Sequence, residues 1–223
     1  MWNDANAMAD GERPASARCS TDNLVPFPGP MPEARIGPNA ILQLAHVMEK
    51  RIGCARSMKV MRKAGLGALP AGDCMIPEGD AVALHHALFS CEGDLAGDLV
   101  RESGTLTADY IIAHRIPAPF VWLLPRLPAW LGARMLMMAI GKHAWTFVGS
   151  GHFSADGPRA FSIDRSAPAD WVEPPASLYV WYEAVFERLF QRLIAPDMQC
   201  CDTTCAGPVT RTRHYRLDRA PPR

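Results

Sequence analysis

The chain has 223 residues, 48% of them hydrophobic, which suits one globular domain with irregular ends. Lysine plus arginine and aspartate plus glutamate both number 23, so the formal net charge is zero, and no long-range field points to nucleic acid or an anionic membrane. The seven cysteines are odd in number and mostly scattered singly, which makes a poor disulfide framework.

The first 34 residues predict a disordered, proline-rich arm. Prolines at alternate positions from Pro26 to Pro32 deny this segment both helical and ladder hydrogen bonds. The arm does not resemble a signal sequence, because its first residues are polar and alanine-rich. We expect a single domain at residues 35–217 and a frayed tail at 218–223.

Helical spacing of apolar residues predicts five helices, at residues 38–52, 78–91, 94–114, 128–142 and 176–194. Pro38 suits the first helical position of the first helix, and Pro77 followed by Glu78 marks the start of the second. In the third helix, Gly104 costs about 1 kcal/mol relative to alanine. The fourth helix is expected to turn four residues inward: Leu131, Met135, Met138 and Ala139.

The pattern then changes to the period of a β-strand. Aromatic and β-branched residues from Ala144 to Val148 predict a strand that stops at Gly149-Ser150-Gly151 and resumes at His152. Asp156-Gly157 leads into a second strand at 159–164, in an antiparallel hairpin whose loop is longer than the tightest type. A short strand at 212–217 closes the fold. Helices followed by antiparallel strands indicate the α+β class, with helices packed on an antiparallel sheet.

Three segments carry a resemblance to a known family: residues 35–41 (Arg-Ile-Gly-Pro-Asn-Ala-Ile), 107–117 (ending His-Arg-Ile-Pro) and 144–153 (beginning Ala-Trp-Thr-Phe). Together they resemble the J-type vinyl reductase of bacteriochlorophyll synthesis, also called the 23 kDa chain of bacteriochlorophyll synthase. The resemblance places a four-vinyl reductase domain at about residues 115–217, with a fold similar to that of a vesicle-tethering subunit. It implies a role around reduction of the 8-vinyl group of divinyl protochlorophyllide or chlorophyllide.

Two functions follow from that resemblance. The first is a module that binds the divinyl intermediate and presents it to another enzyme of the pathway. The second is the 8-vinyl reductase itself, supplied with electrons by NADPH or ferredoxin. The first is favoured because neither Gly65-Leu66-Gly67 nor Gly149-Ser150-Gly151 lies between a strand and a helix, as a dinucleotide site requires. The crowded cysteines near the C-terminus do not have the spacing of an iron–sulfur site.

A magnesium tetrapyrrole, the ligand that the resemblance implies, requires an axial nitrogen, flat apolar walls and a cation for its carboxylate. If residues 143–148 form a strand, His143, Trp145 and Phe147 face one side of it. Arg115 can hold a carboxylate in bidentate geometry, with Arg126 and Lys142 as further candidates. The alternative is that Trp145 and Phe147 are ordinary core residues. The predicted substrate-binding residues are Arg115, His143, Trp145, Phe147, His152 and Phe153.

Two groups of residues could be mistaken for metal sites. Asp202, Cys205 and His214 resemble the zinc site of related sensor domains, but the upstream cysteine of that site is missing. Zinc needs four close ligands, or three with water, so we expect a degenerate site without zinc. His85 and His86 point about 100° apart on a helix, so one should face the core and the other water.

The longest apolar stretch, Ile116 to Ile140, is broken by prolines and arginines and cannot span a bilayer as one helix. We therefore expect the protein in the reducing cytoplasm or at the periphery of the photosynthetic membrane. Low net charge favours a homodimer. A further alternative is a pigment-free interaction protein of photosynthetic membrane assembly, in which Trp122 and Trp130 belong to an exposed apolar patch.

Overall fold

The computed structural model describes residues 34–165, 176–204 and 211–221, so most of the predicted N-terminal arm lies outside the described residues. Within them the helices are α1 Asn39–Ile52, α2 Cys54–Lys63, α3 Glu78–Glu92, α4 Leu95–His114, α5 Ala118–Leu123, α6 Ala129–Lys142, α7 Trp145–Val148 and α8 Ala176–Leu193. A single 3-10 turn at Leu124–Arg126 follows α5. The strands are β1 Arg35–Ile36, β2 Ile76–Pro77, β3 His152–Gly157, β4 Ala160–Asp164, β5 Met198–Asp202 and β6 Thr212–Arg219.

The five predicted helices are confirmed as α1, α3, α4, α6 and α8, with ends within one residue of the predicted ones. Helix α2 was not predicted, because its basic sequence buries only Ser57 and Val60 and gives little apolar periodicity. Helix α5 occupies part of what the sequence suggests is a proline-broken connector. None of the helices in the described residues is long and apolar enough to cross a membrane.

The inward face predicted for α6 is wrong. The buried residues are Gly132, Ala133, Leu136 and Met137, whereas Met138 and Ala139 are exposed and the other two predicted residues are half-buried. Apolar residues surround most of this helix, so periodicity cannot select a face. The small residues determine which face of α6 is buried. A Cβ on Gly132 would lie 3.2 Å from the Leu124 carbonyl oxygen, so the face that contains Gly132 packs closely against the preceding turn.

Helices α4 and α8 pack closely at Gly104. A Cβ at Gly104 would lie 2.8 Å from the Cβ of Ala184 and 2.9 Å from the carbonyl oxygen of Trp181. The residue that lowers the helix propensity of α4 therefore permits the contact between two central helices. At this position glycine is unfavourable for the local helix but favourable for the packing of α4 against α8.

The main sheet is antiparallel, in the order β3-β4-β6-β5, and a two-stranded sheet pairs β1 with β2. The predicted hairpin is confirmed as β3 and β4, but its loop is shorter than predicted: Gly157 pairs with Ala160, leaving only Pro158 and Arg159 between the strands. A register shift between Ser154 and Gly157 accommodates this tight connection. The α+β class is confirmed.

The C-terminal strand pair is longer than the sequence indicates. Strand β6 continues to Arg219, two residues beyond its predicted end at 217, because residues 215–219 pair with β5. Strand β5 was not predicted, since Met198–Asp202 lacks β-branched and aromatic residues. Strand β5 forms because it pairs with β6 and packs against α8, and its own sequence indicates neither contact.

The strand predicted at residues 144–148 is wrong, and this segment forms the short helix α7. The amides of Phe147 and Val148 both donate to the Ala144 carbonyl, at 3.0 Å each. Ala144 and Val148 are the buried residues of the turn, four positions apart. Tertiary burial at helical spacing thus overrides the β-propensity of Trp-Thr-Phe-Val. Gly149 ends the helix with φ 57°, a conformation that suits glycine.

Candidate functional site

The junction of α6 and α7 exposes three neighbouring residues that the sequence associates with a tetrapyrrole. Helix α6 ends at Lys142, and His143 caps it. The Thr146 hydroxyl and amide donate to the His143 carbonyl at 2.8 and 3.0 Å, which fixes the chain between the two helices. Lys142 and His143 are exposed, and Trp145 is 62% exposed. An aromatic ring, an imidazole and an ammonium group are therefore accessible at one corner of the protein.

Trp145 and Phe147 do not face the same side, because α7 is a helix. Residues two apart on a helix differ by about 200° in direction, so the two side chains diverge. Trp145 points outward, while the Phe147 ring packs at 5.8 Å from Phe153 and 6.0 Å from Phe186, both edge-on. The interpretation as ordinary core therefore holds for Phe147 and fails for Trp145.

Phe153 belongs to a stack of aromatic rings between the sheet and α8. Its centroid lies 5.7 Å from Phe161 and 6.0 Å from Phe186, and Phe161 in turn stacks on Tyr215 at 4.7 Å. Phe153 is only 8% exposed. These rings fill the space between sheet and helix and anchor α7 through Phe147, so Phe153 supports the α6–α7 junction from below.

The remaining predicted tetrapyrrole residues, Arg115 and His152, are exposed at other element ends. His152 opens β3 opposite Asp164, directly before the anchored Phe153. Arg115 caps the C-terminus of α4. Its side chain forms no hydrogen bond or ring contact with the other five predicted residues, all of which belong to the described part of the chain. The structure thus exposes His143 and Trp145 at the α6–α7 junction, packs Phe147 against Phe153, and shows no contact between Arg115 and these residues.

A buried polar network that sequence reasoning missed lies under the loop between α7 and β3. Arg165 forms an ion pair with Glu78 and donates to the Tyr182 hydroxyl at 3.2 Å. Glu78 also accepts the Ser150 amide at 2.8 Å. Burial raises the pKa of the Tyr182 hydroxyl, an effect that the Arg165 charge opposes. The sequence signal is weak, because Glu78 is equally explained as an acidic residue at a helix N-terminus.

Gly149 allows the loop to approach this network. A Cβ at Gly149 would overlap the Glu78 carboxylate, and its φ of 57° is itself unfavourable for other residues. Tyr182 continues the network to α7, since its hydroxyl donates to the Phe147 carbonyl at 2.9 Å. The network therefore connects α7 and the loop with the start of α3, the end of β4 and the middle of α8.

His85 faces the core and His86 faces solvent, as predicted: His85 is fully buried and His86 is exposed. The Nδ1 atom of His85 lies 3.1 Å from the Ser177 hydroxyl, and its Nε2 atom has no hydrogen-bond partner among the described residues. Burial, reinforced by the neighbouring His86, lowers the pKa of His85 to about 3. His85 is therefore a neutral core residue at neutral pH.

Asp202 and His214, two of the residues suggested as metal ligands, lie on the paired strands β5 and β6. The Asp202 carboxylate contacts Arg213 at 3.3 Å and accepts the Thr204 amide at 2.8 Å. His214 follows Arg213 on β6 and so projects from the opposite face of the strand. The structure does not bring the two side chains together. Cys205 lies outside the described residues, among which no group of three histidine, cysteine or acidic side chains could hold a metal ion.

Comparison with known proteins identifies relatives along most of the chain. No protein-family model matches it. The bacteriochlorophyll synthase 23 kDa chain of Rhodobacter capsulatus is 44% identical over 178 residues, which cover 78% of this chain and 83% of the relative. The protein of the same name from Cereibacter sphaeroides is 41% identical over 181 residues, or 80% of this chain and 88% of the relative. The chain belongs to this family.

Membership among the 23 kDa chains supports a role in bacteriochlorophyll biosynthesis and confirms that part of the resemblance. The names of the relatives do not specify a reaction at the vinyl group. Among solved structures, an H-NOX chain from work on heme distortion matches this protein with a TM-score of 0.52 at 8% identity, covering 84% of this chain and 96% of the H-NOX chain. That similarity shows the α+β fold.

Proposed function

We propose that this protein binds divinyl protochlorophyllide or chlorophyllide and presents it at the 8-vinyl reduction step of bacteriochlorophyll biosynthesis. The observation that carries the proposal is the exposed Trp145 ring beside Lys142 and His143, in a chain of this family. Tryptophan combines a large apolar ring with a polar N–H group and is enriched where proteins meet ligands or partners.

The three side chains match three chemical features of the ligand. The indole of Trp145 offers a flat face for the macrocycle, and the imidazole of His143 offers a nitrogen for the magnesium ion. The ammonium group of Lys142 suits the carboxylate that the unesterified pigment carries. Phe147 and Phe153 act from beneath, because they anchor α7 and β3 and keep the junction in place. His152 is exposed at the start of β3, directly before Phe153 in the chain.

Two observations favour presentation over reduction by the chain itself. Gly149-Ser150-Gly151 joins a helix to a strand, and its Ser150 amide already donates to the buried Glu78 carboxylate. That amide is therefore already engaged and cannot bind a cofactor phosphate without losing this bond. Gly65-Leu66-Gly67 follows the C-terminus of α2, the end of a helix dipole that repels anions. Neither glycine pair has the surroundings of a dinucleotide loop.

The fold gives further support for a tetrapyrrole ligand. The H-NOX chain with the same fold comes from work on heme distortion, so this arrangement of helices on an antiparallel sheet accompanies a tetrapyrrole in another family. At 8% identity the similarity transfers no binding residue, and the proposal rests on Trp145 and its neighbours.

An absorption titration of the purified chain with divinyl protochlorophyllide tests the proposal. We expect a red-shifted, saturable band that NADPH or reduced ferredoxin leaves unchanged. Trp145→Ala should weaken binding about five- to hundredfold, in line with the roughly 1–3 kcal/mol of stacking on an aromatic ring. Phe89→Ala is the matched control, because Phe89 is 56% exposed on α3 and lies outside the proposed site.

The role of His143 is tested separately with the magnesium-free form of the same pigment. His143→Ala should weaken binding of the magnesium pigment and leave binding of the magnesium-free pigment unchanged. Conversion of the band to the monovinyl spectrum without another protein would identify the chain as the 8-vinyl reductase. Absence of any saturable shift would refute tetrapyrrole binding.

A further inference from the structure

Charge is unevenly distributed along this chain, although its net charge is zero. Between Asp109 and Asp156 the sequence contains no aspartate or glutamate. The same stretch contains four lysines or arginines, namely Arg115, Arg126, Arg134 and Lys142. Within the described residues none of the four forms an ion pair. The surface formed by this stretch therefore carries positive charge that no neighbouring carboxylate neutralises.

The same stretch exposes large apolar side chains. Helix α5 has the wholly apolar sequence Ala-Pro-Phe-Val-Trp-Leu, yet none of its residues is buried. Phe120 and Trp122 on this helix are 46% and 61% exposed, and Trp130 at the start of α6 is 66% exposed. Val121 and Leu123 are half-buried, and Val121 packs against the core, so the helix is attached on that side while Phe120 and Trp122 remain exposed. Its composition indicates contact with something outside the chain.

The aromatic and basic residues are interleaved. The Arg126 guanidinium lies 4.2 Å from the centre of the Trp122 ring and also donates to the Trp122 carbonyl. Trp130 and Arg134 are both exposed and lie one helical turn apart on α6. The close contact of Gly132 with the Leu124 carbonyl brings the start of α6 against the end of α5. We name Phe120, Trp122, Arg126, Trp130 and Arg134 the tryptophan–arginine surface.

We propose that the tryptophan–arginine surface docks the protein onto an anionic lipid bilayer, in the plane of the headgroups. Tryptophan prefers the membrane interface, and arginine is attracted to anionic headgroups by about 1 kcal/mol each. Interfacial helices combine an apolar face with basic residues, as α5 and the start of α6 do. The four cations and the absence of carboxylates in this stretch of the sequence match the negative surface of an anionic bilayer, and the exposed tryptophans match its interface.

The docking surface is separate from the proposed tetrapyrrole site. Trp130 lies at the start of α6 and His143 follows its end, and a helix of 14 residues is about 21 Å long. The membrane proposal thus does not depend on pigment binding. An amphiphilic pigment held at one end of α6 would lie near a bilayer docked at the other end.

Co-sedimentation of the full chain with sucrose-loaded vesicles tests this inference. We expect binding to vesicles of phosphatidylcholine and phosphatidylglycerol at 7:3, little binding to phosphatidylcholine alone, and loss of binding at about 0.5 M salt, where charges are screened within a few ångströms. Trp122→Ala combined with Trp130→Ala should reduce the partition coefficient on the order of tenfold, as should Arg126→Gln combined with Arg134→Gln.

Matched controls lie on α2 and α3. Lys59→Gln combined with Lys63→Gln removes the same charge from the exposed face of α2, and Met58→Ala combined with Phe89→Ala removes comparable exposed apolar area. Both controls should change the partition coefficient by less than about twofold. Absence of binding to the anionic vesicles, or equal losses in the controls, would overturn the proposal. So would surface variants that change the oligomeric mass in solution while vesicle binding stays intact, because the surface would then contact protein.

Discussion

Arg165 and Glu78 form an ion pair inside the protein, with only 2% and 11% of their side chains exposed. Glu78 opens α3, and Arg165 directly follows β4, so the pair connects the helical layer with the sheet. Tyr182 on α8 adds a third element through its hydrogen bond with Arg165. Since the Ser150 amide also bonds Glu78, the pair determines where the loop after α7 runs, and with it the position of the proposed tetrapyrrole site.

Removing one member of this pair should destabilise the fold strongly. Glu78→Gln leaves the buried Arg165 charge uncompensated, and breaking a buried pair from one side costs about 3–5 kcal/mol. The measurement is the free energy of unfolding in urea at neutral pH. Glu92→Gln is a suitable comparison, because Glu92 ends the same helix and pairs with the exposed Arg56.

The double variant Glu78→Gln with Arg165→Met separates pairing from simple loss of packing. It removes both charges, so we expect a smaller loss of stability than in Glu78→Gln alone. If the double variant instead loses as much stability as Glu78→Gln and Arg165→Met do together when each is made alone, the two side chains act independently.

Gly104→Ala should destabilise the protein, although alanine is the better helix former. The added Cβ would lie 2.8 Å from the Cβ of Ala184 and 2.9 Å from the Trp181 carbonyl, so α4 and α8 must separate. Overpacking of this kind costs about 1–3 kcal/mol, which exceeds the roughly 1 kcal/mol gained in helix propensity. Gly97→Ala provides the control on the same helix, because a Cβ there meets nothing within 4 Å. Thermal unfolding should show a lower Tm for the first variant and a higher Tm for the second.

Stability should fall as the pH drops below 7, because of His85. Its pKa is about 3 in the folded protein and 6.5 when unperturbed. Between these values the unfolded chain binds a proton at His85 and the folded chain does not, so acidification favours unfolding. From pH 7.5 to 5.5 this residue alone should remove about 1.4 kcal/mol from the free energy of unfolding.

Urea titrations of His85→Asn and His86→Asn over the same pH range isolate that contribution. Asparagine in place of His85 retains a group that can bond Ser177 but does not titrate. The decrease in the free energy of unfolding from pH 7.5 to 5.5 should therefore be about 1.4 kcal/mol smaller in His85→Asn than in the wild type, whatever the stability of the variant at pH 7.5. His86→Asn, one residue further along the helix and exposed, should keep the wild-type dependence. Equal dependence in His85→Asn and the wild type would contradict the assignment.

Helices α1, α3, α4, α6 and α8 were predictable because their sequences have an apolar period and a local start or stop, as at Pro38 and Glu78. Strand β5 was not, since its order comes from pairing with β6 and packing against α8. The strand predicted at 144–148 shows the converse error. Trp-Thr-Phe-Val has high β-propensity, yet burial of Ala144 and Val148 on one helical turn outweighs it.

The candidate site was predictable only as a set of residue types. Sequence identified Trp145 and His143, but it paired Trp145 with Phe147 on one face because it assumed a strand. The Glu78–Arg165 pair joins residues far apart in the chain, and no local pattern connects them. The exposure of Trp122 and Trp130 agrees with the apolar patch suggested from sequence, whereas the buried face of α6 depended on where Gly132 meets Leu124.

Trp145 and Phe153 should respond oppositely to truncation, which distinguishes a ligand surface from its support. Trp145 is 62% exposed, so Trp145→Ala should change the free energy of unfolding by less than about 1 kcal/mol while weakening pigment binding. Phe153 is 8% exposed within the aromatic stack, so Phe153→Ala should cost about 3–5 kcal/mol. Urea unfolding and pigment titration on the same preparations measure both quantities. A Trp145→Ala variant that loses several kcal/mol of stability would mean that the indole packs against the fold, and the α6–α7 junction would then be a structural corner instead of a binding surface.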